Sequence, residues 1–414
     1  MKNSPNRNLQ FMMKAFRWYY QRYSERIDAP SSLENREFGF TFFRGKGMIR
    51  HVSFRDAEEF RKYLVEKVPQ HAFYSSAYYR FPSAETMDEK EWLGADLIFD
   101  IDVDHIDTPC KVYHDSWLCP KCGASGRGAV SACPHCGNEN IKRKTWVCNT
   151  CLSVARDEVI KLIDFLLNDF GFSQDELYVT FSGHRGFHVH VESEAVRGMD
   201  QDLRREISDY VRGVGLVPEA FTVQAGPRVF KVSVDPEMPG WHGRIARYLL
   251  FWLLAADEAE VSRVINPRKL RYFDEMKKAL EKTGDLSVVT FSRREISKIL
   301  EIIAEKEGVK IDERVTIDIK RLIRLPGSLH GKTGLQVYKI SVDELENKDV
   351  IRASAVLGDR KVRVMLKNPP EKVLDHTFPP DFEGVMELPL YLVAYLIGNG
   401  AEIKVLDALS SVFY

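Results

Sequence analysis

Seven cysteines fall between positions 110 and 151, and none lies elsewhere in the 414 residues. Six of them form the Cys-x-x-Cys pairs Cys119/Cys122, Cys133/Cys136 and Cys148/Cys151, and Cys110 stands alone. An odd number of thiols packed into 42 positions does not make a disulfide framework. Paired knuckles supply thiolates at the spacing of a tetrahedral metal site. The first two pairs read CPKCG and CPHCG with ten residues between them, a zinc-ribbon signature. Cys148 and Cys151 need two further ligands, and Cys110 with His114 completes the count: seven thiolates and one imidazole for two zinc sites. An ordinary Cys110 or His114, with a single filled site, stays open here, because spacing does not fix ligand pairing. His135, inside a knuckle, reads as a bystander.

The rest of the chain is that of a folded protein of two or three domains. Hydrophobic residues make up 44%, and 59 Lys+Arg against 60 Asp+Glu give a net charge of −1. Disordered, collagen-like and coiled-coil readings are excluded, and a nucleic-acid binder with this balance needs local basic patches. No apolar run approaches the ~18 residues of a membrane span, and the first twenty residues lack the pattern of a secretory signal. A cytoplasmic location is expected, with no membrane partner.

Periodicity predicts a helix over Leu9–Tyr23 and a strand over Arg36–Phe43. A helix over Phe54–Lys67 follows, capped by Ser53, and then a strand over Asp96–Val103. A helix over Arg156–Phe170 stops at Gly171, and Leu177–Val191 reads as strand, glycine-rich turn, strand. Between Met199 and Gly308 the texture is helical, including Ile245–Ala256 and Arg271–Thr283. Strand-like alternation returns near Val315, over Gly334–Ser341 and over Val350–Leu366. The expected fold class is a mixed α/β core, residues 1–198, holding zinc modules at 108–152. A mostly helical insertion over 199–308 interrupts it, and 309–414 completes it.

Three constellations carry chemistry. In LIFDIDV (97–103) the side chains alternate faces, so Asp100 and Asp102 project together, roughly 7 Å apart at Cα. Asp is depleted in strands, and two carboxylates on a rigid strand suit divalent cations such as Mg²⁺ in phosphoryl or nucleotidyl transfer. The turn FSGHRGFH (181–188) offers two glycines for close backbone approach, with Ser182, Arg185 and His188 suited to a triphosphate. The stretch DERVTIDIKRLIRLPGSLHGKTG (312–334) is basic. From Val309 to Lys332 it has six Lys/Arg against three Asp/Glu, and Val261–Thr283 has seven against three. Such runs track phosphates or are simply solvated faces. GSLHGKT has three residues between its glycines where a P-loop needs four, so that motif is rejected. Asp318 reads as the cap of a helix beginning at Ile319.

With these residues in view the chain resembles the small, catalytic subunit of the archaeal and eukaryotic DNA primase, and more closely its archaeal members. The resemblance runs from Tyr19 to about Ser341. It rests on REFGF (36–40), FDIDVDH (99–105), Cys110…His114…Cys148-x-x-Cys151, DFGF (169–172), SGHRGFH (182–188) and RVTIDIKRLIRLPGSLHGKTG (314–334), in the family's order. It implies a primase-type catalytic core that makes short RNA or DNA primers on a single-stranded DNA template, by two-metal nucleotidyl transfer with Mg²⁺ or Mn²⁺, during replication. Asp100 and Asp102 match the metal-binding pair. Asp312, rather than Asp318, matches the third carboxylate, and Glu37, with Arg36, matches an active-site motif. Ser182, Arg185 and His188, with Arg324 and His330, match the nucleotide-binding positions. Cys110, His114, Cys148 and Cys151 match the family's zinc site, so the ribbon of Cys119, Cys122, Cys133 and Cys136 is an insertion between its halves. A large subunit is the implied partner, with NTPs or dNTPs as substrates. The rival readings are a repair polymerase of the same superfamily, a haloacid-dehalogenase-like phosphatase, and a non-catalytic zinc-ribbon protein. The phosphatase lacks its later paired-acid motif, and the ribbon protein leaves Asp100 and Asp102 without purpose.

Overall fold

A computed structural model describes residues 7–413 except Pro267, Arg268 and Leu270. Those three fall within the basic run 261–283, so that part of it lies outside the described residues. The chain divides into two compact units: residues 1–157, 175–202 and 312–414 form one, and 158–174 with 203–311 form the other.

Two four-stranded antiparallel sheets organise the first unit. Helix α1 (Arg7–Tyr23) buries Phe11, Phe16, Tyr19 and Tyr20 along one stripe, as its 3.6-residue periodicity requires. It is followed by β1 (Phe38–Thr41), β2 (Ile49–Val52), α2 (Ala57–Lys67) and β3 (His71–Ser75). Strand β4 (Leu97–Asp102) precedes the cysteine-rich segment, and α3 (Asn149–Asp164) follows it. Strands β5 (Leu177–Phe181) and β6 (Gly186–Val191) form a tight hairpin. Then come α4 (Glu313–Ile317), β7 (Leu322–Arg324) and β8 (Tyr338–Ile340). The first sheet has the order β7-β3-β1-β2 and the second β8-β5-β6-β4. The core alternation of β4 is visible in its burial: Phe99 and Ile101 are fully buried while Asp100 and Asp102 are only partly so.

Several local expectations need correction. Helix α2 starts at Ala57, because Asp56 rather than Ser53 caps it, accepting from the Glu59 amide at 2.9 Å. Helix α3 starts seven residues earlier than its apolar stripe suggests, directly after Cys148, and its last turn widens at Phe165–Asp169. No helix begins at Ile319. Asp312 caps the short α4, where alternation had pointed to a strand, and Asp318 bonds the Lys320 amide in the turn before β7. The stretch 350–366 splits into a helix, Val350–Ser354, and a strand, Lys361–Lys367, with Gly358 between them at φ +87°. That strand lies between Glu383–Pro389 and Glu402–Val405. The second unit is helical, with Gly240–Ala255 and Arg293–Glu307 its longest helices, but Thr222–Gly226, Val229–Val232 and Thr290–Phe291 form a small antiparallel sheet within it. Those strands are short and largely exposed, so they carry little apolar alternation to read.

Candidate active site and zinc centres

The eight candidate zinc ligands gather in two sets. Cys110, His114, Cys148 and Cys151 converge and are buried, and Cys119, Cys122, Cys133 and Cys136 form the other set. In the first, Cys151 Sγ lies 3.2 Å from Cys110 Sγ, 3.3 Å from His114 Nε2 and 3.9 Å from Cys148 Sγ. His114 turns Nδ1 to the Asp115 carboxylate at 2.7 Å, leaving Nε2 for a metal, an arrangement typical of a ligating histidine. In the second set, Cys119 and Cys136 stand 3.7 Å apart and Cys122 and Cys133 3.6 Å. All seven thiols are free of disulfides. The donor chemistry and convergence fit Zn²⁺ at both positions. Strands Ser116–Leu118, Ser125–Arg127 and Lys142–Lys144 make the ribbon around the second set.

The carboxylates meet where β4 ends. Strand β6 pairs with β4 so that His188 faces Asp100 and Gly186 faces Asp102. Only glycine allows this approach, since a Cβ at 186 would sit 2.2 Å from the Ile101 carbonyl oxygen. Asp312 is brought to the same edge by its amide, which donates to the Asp100 carbonyl at 2.8 Å. Burial, followed by the charges of Asp102 and Asp312, pushes the Asp100 carboxyl up to about 7, and Arg321 and Arg324 only partly offset this. Asp102 is also raised, burial being its main cause. Three carboxylates held against their mutual repulsion are what a divalent cation relieves. Asp318 instead accepts from the Lys320 amide at 2.9 Å.

Around these acids lie the guanidinium and imidazole groups. The turn 182–186 is organised by Ser182, whose Oγ accepts from the Gly186 amide at 3.3 Å and the His184 amide at 3.4 Å. Gly183, at φ +72°, takes the position that only glycine adopts freely, and its carbonyl accepts from Thr333 Oγ1 at 2.5 Å. This joins the turn to the segment 330–334, where His330 stacks on His184 with ring centres 4.6 Å apart. His188 Nε2 stands 3.7 Å from Asp100 Oδ1. Arg324, at the end of β7, is lowered to about 10 by burial, against the attraction of Asp100 and Asp102. Burial, and then nearby cations (Arg185 first for His184, Arg324 first for His188 and His330), holds His184 and His188 down to about 3 and His330 far below its ordinary value, so these imidazoles are neutral. Arg185 pairs with Asp104 at 2.7 Å and also donates to Thr145 Oγ1, next to the ribbon.

The comparisons with known proteins decide the family. The DNA primase small subunit family matches residues 134–340. A protein named DNA primase small subunit PriS from Methanothrix thermoacetophila is 34% identical over 423 positions, covering 94% of this chain and 97% of the relative. The chain belongs to the DNA primase small subunit family. Proteins of the same name from Methanosarcina acetivorans and Nitrosopumilus maritimus are 32% and 30% identical, covering 95% and 94% of this chain and 96% and 97% of their own. Membership of this primase family displaces the phosphatase and ribbon-protein readings.

Within this primase small-subunit fold, Glu37 stands apart from the three carboxylates in its contacts. It is buried, accepts from Arg50 Nε at 3.0 Å and from the His51 amide at 3.2 Å, and lies 3.4 Å from Lys90 Nζ. Arg36 is fully buried, paired with Asp96 at 2.7 Å and stacked 3.7 Å over the Tyr78 ring. Asp104, within the FDIDVDH motif, holds Arg185. The motifs do not include His71, which bonds Arg324 and carries no local signal, since it acquires its partner only when distant strands assemble. Among the described residues no helix is long and apolar enough to cross a membrane.

Proposed function

We propose that the chain is the catalytic subunit of a primase, building short primers on single-stranded DNA during replication by two-metal nucleotidyl transfer. The observation that carries this reading is the meeting of Asp100, Asp102 and Asp312, with His188 facing Asp100 and Arg324 attracted by Asp100 and Asp102. Asp100, Asp102 and Asp312 would hold Mg²⁺ or Mn²⁺, which when bound neutralises charge on the triphosphate and on the attacking 3′ oxygen. Arg324 supplies a fixed positive charge to the phosphates. Neutral His188 and His330 donate hydrogen bonds without competing with the cations for the carboxylates. Arg185 exchanges its Asp104 partner for a phosphate oxygen, and Ser182 keeps the turn in shape. Glu37 acts as a positioning residue that orients Arg50 and Lys90. The two cysteine sets would hold structural Zn²⁺, one at the base of the insertion and one in the ribbon. NTPs or dNTPs are the substrates and a large subunit the partner.

The deciding assay is synthesis from nucleotides alone on unprimed single-stranded DNA, with and without the large subunit. Oligomers from the wild type and none from Asp102→Ala are expected. Extension of a supplied primer without initiation in either setting would assign the chain to a repair polymerase of the superfamily.

A further inference from the structure

His71 opens β3, opposite Thr41 of β1, and two residues on Phe73 faces Arg324 of β7. Its Nδ1 accepts two hydrogen bonds, from Arg324 Nη1 at 2.9 Å and from the Gly331 amide at 3.2 Å. A ring nitrogen that accepts twice carries no proton, so the imidazole is neutral with its hydrogen on Nε2. Burial, then Arg324 and Lys332, lowers its pKa to about 3, and the acceptor persists across the neutral range. The backbone is shaped around the ring: a Cβ at Gly331 would lie 2.6 Å from His71 Nε2 and 2.7 Å from the Gln70 carbonyl oxygen. The ring also packs edge-on against His330 at 4.8 Å.

Arg324 needs such an anchor. Its side chain has several rotatable bonds, and Asp100 and Asp102 attract it. An untethered guanidinium would swing onto those carboxylates and occupy the positions that cations require. We propose that His71 is a positioning residue of the nucleotide site, its Nδ1 tying the Arg324 guanidinium and the Gly331 amide, and so fixing the side chain and the loop that meet the triphosphate. The inference rests on the reading that Arg324 and His330 contact the incoming nucleotide.

The test uses the full chain in steady-state primer extension, with nucleotide and Mg²⁺ varied separately. His71→Phe keeps a ring without an acceptor. Loss of a hydrogen bond to a charged group should raise KM for the nucleotide about tenfold to a hundredfold, with kcat changed far less. Half-saturation by Mg²⁺ should rise with it, and affinity for single-stranded DNA should stay unchanged. His71→Asn, which returns an acceptor near the Nδ1 position, should recover most of the loss, whereas His71→Gln, whose acceptor falls near Nε2, should not. Arg324→Ala serves as the control. If it leaves KM unaltered, the assignment of Arg324 fails. If it raises KM while His71→Phe does not, the role of His71 fails and the site reading stands. Should His71→Phe not fold, the Asn and Gln variants carry the test, and equal KM values for the two would overturn the proposal.

Discussion

Replacing Asp100 by Asn should stabilise the metal-free protein while abolishing synthesis. Asp100 is held near 7 by burial and by Asp102 and Asp312, partly offset by Arg321 and Arg324, and His188 Nε2 stands 3.7 Å from its carboxylate. Against an ordinary value of ~3.9, ionising it in the folded state costs ~4 kcal/mol at pH 8. A quarter of the side chain is reached by water, and screening reduces the figure to ~2 kcal/mol. The folded state binds the extra proton between about pH 4 and pH 7. Wild-type stability from this group is therefore fully present below pH 4 and lost as pH rises through 7. The Asn variant escapes that loss, so its advantage should be near zero at pH 4 and level off above pH 7, reaching a few degrees in Tm. Thermal unfolding in buffers free of Mg²⁺ and Mn²⁺ measures it. Strong chelators are to be avoided, since they would strip the thiolate sites as well. Added Mg²⁺ should stabilise the wild type and leave the variant unmoved. An Asn variant less stable than wild type at pH 8, or an advantage that does not vary with pH, would refute the carboxylate-repulsion argument.

Asp312→Asn should remove activity with the fold retained, because Asn caps α4 about as well as Asp, whereas Asp318→Asn should cost little; circular dichroism and primer synthesis separate the two, and the reverse pattern would relocate the third carboxylate. Metal analysis of the purified chain should find two zinc ions. Deleting residues 117–143 and joining Ser116 to Lys144, which face each other across the ribbon, should leave one zinc and an active core, and none would show that the ligands pair differently. Arg36→Ala should destabilise the first unit by ~3–5 kcal/mol by removing the cation that compensates the buried Asp96 carboxylate, to which Tyr78 OH still donates; a loss under ~1 kcal/mol in chemical denaturation would contradict that.

Much of this site is legible in the chain because it is local. Strand alternation puts Asp100 and Asp102 on one face, Cys-x-x-Cys spacing brings each pair of thiols together, and Ser182 shapes its own turn. The expectation that Asp312 rather than Asp318 is the third carboxylate came from the family resemblance, not from local physics. In the structure a long-range bond from the Asp312 amide to the Asp100 carbonyl brings Asp312 to the pair. Helix starts at Ala57 and Asn149 shifted for a related reason: caps and neighbouring turns outweigh the apolar stripe in fixing an end. What only the tertiary structure decided is who meets whom across sequence distance. Arg324 and His71 are 253 positions apart, and Thr333 finds Gly183 across 150. The Asp104 partner of Arg185 and the Glu37 cluster are likewise products of strand register. A hydrogen bond between such groups leaves no periodicity in the chain, because only strand pairing and the packing of loops bring its donor and acceptor together.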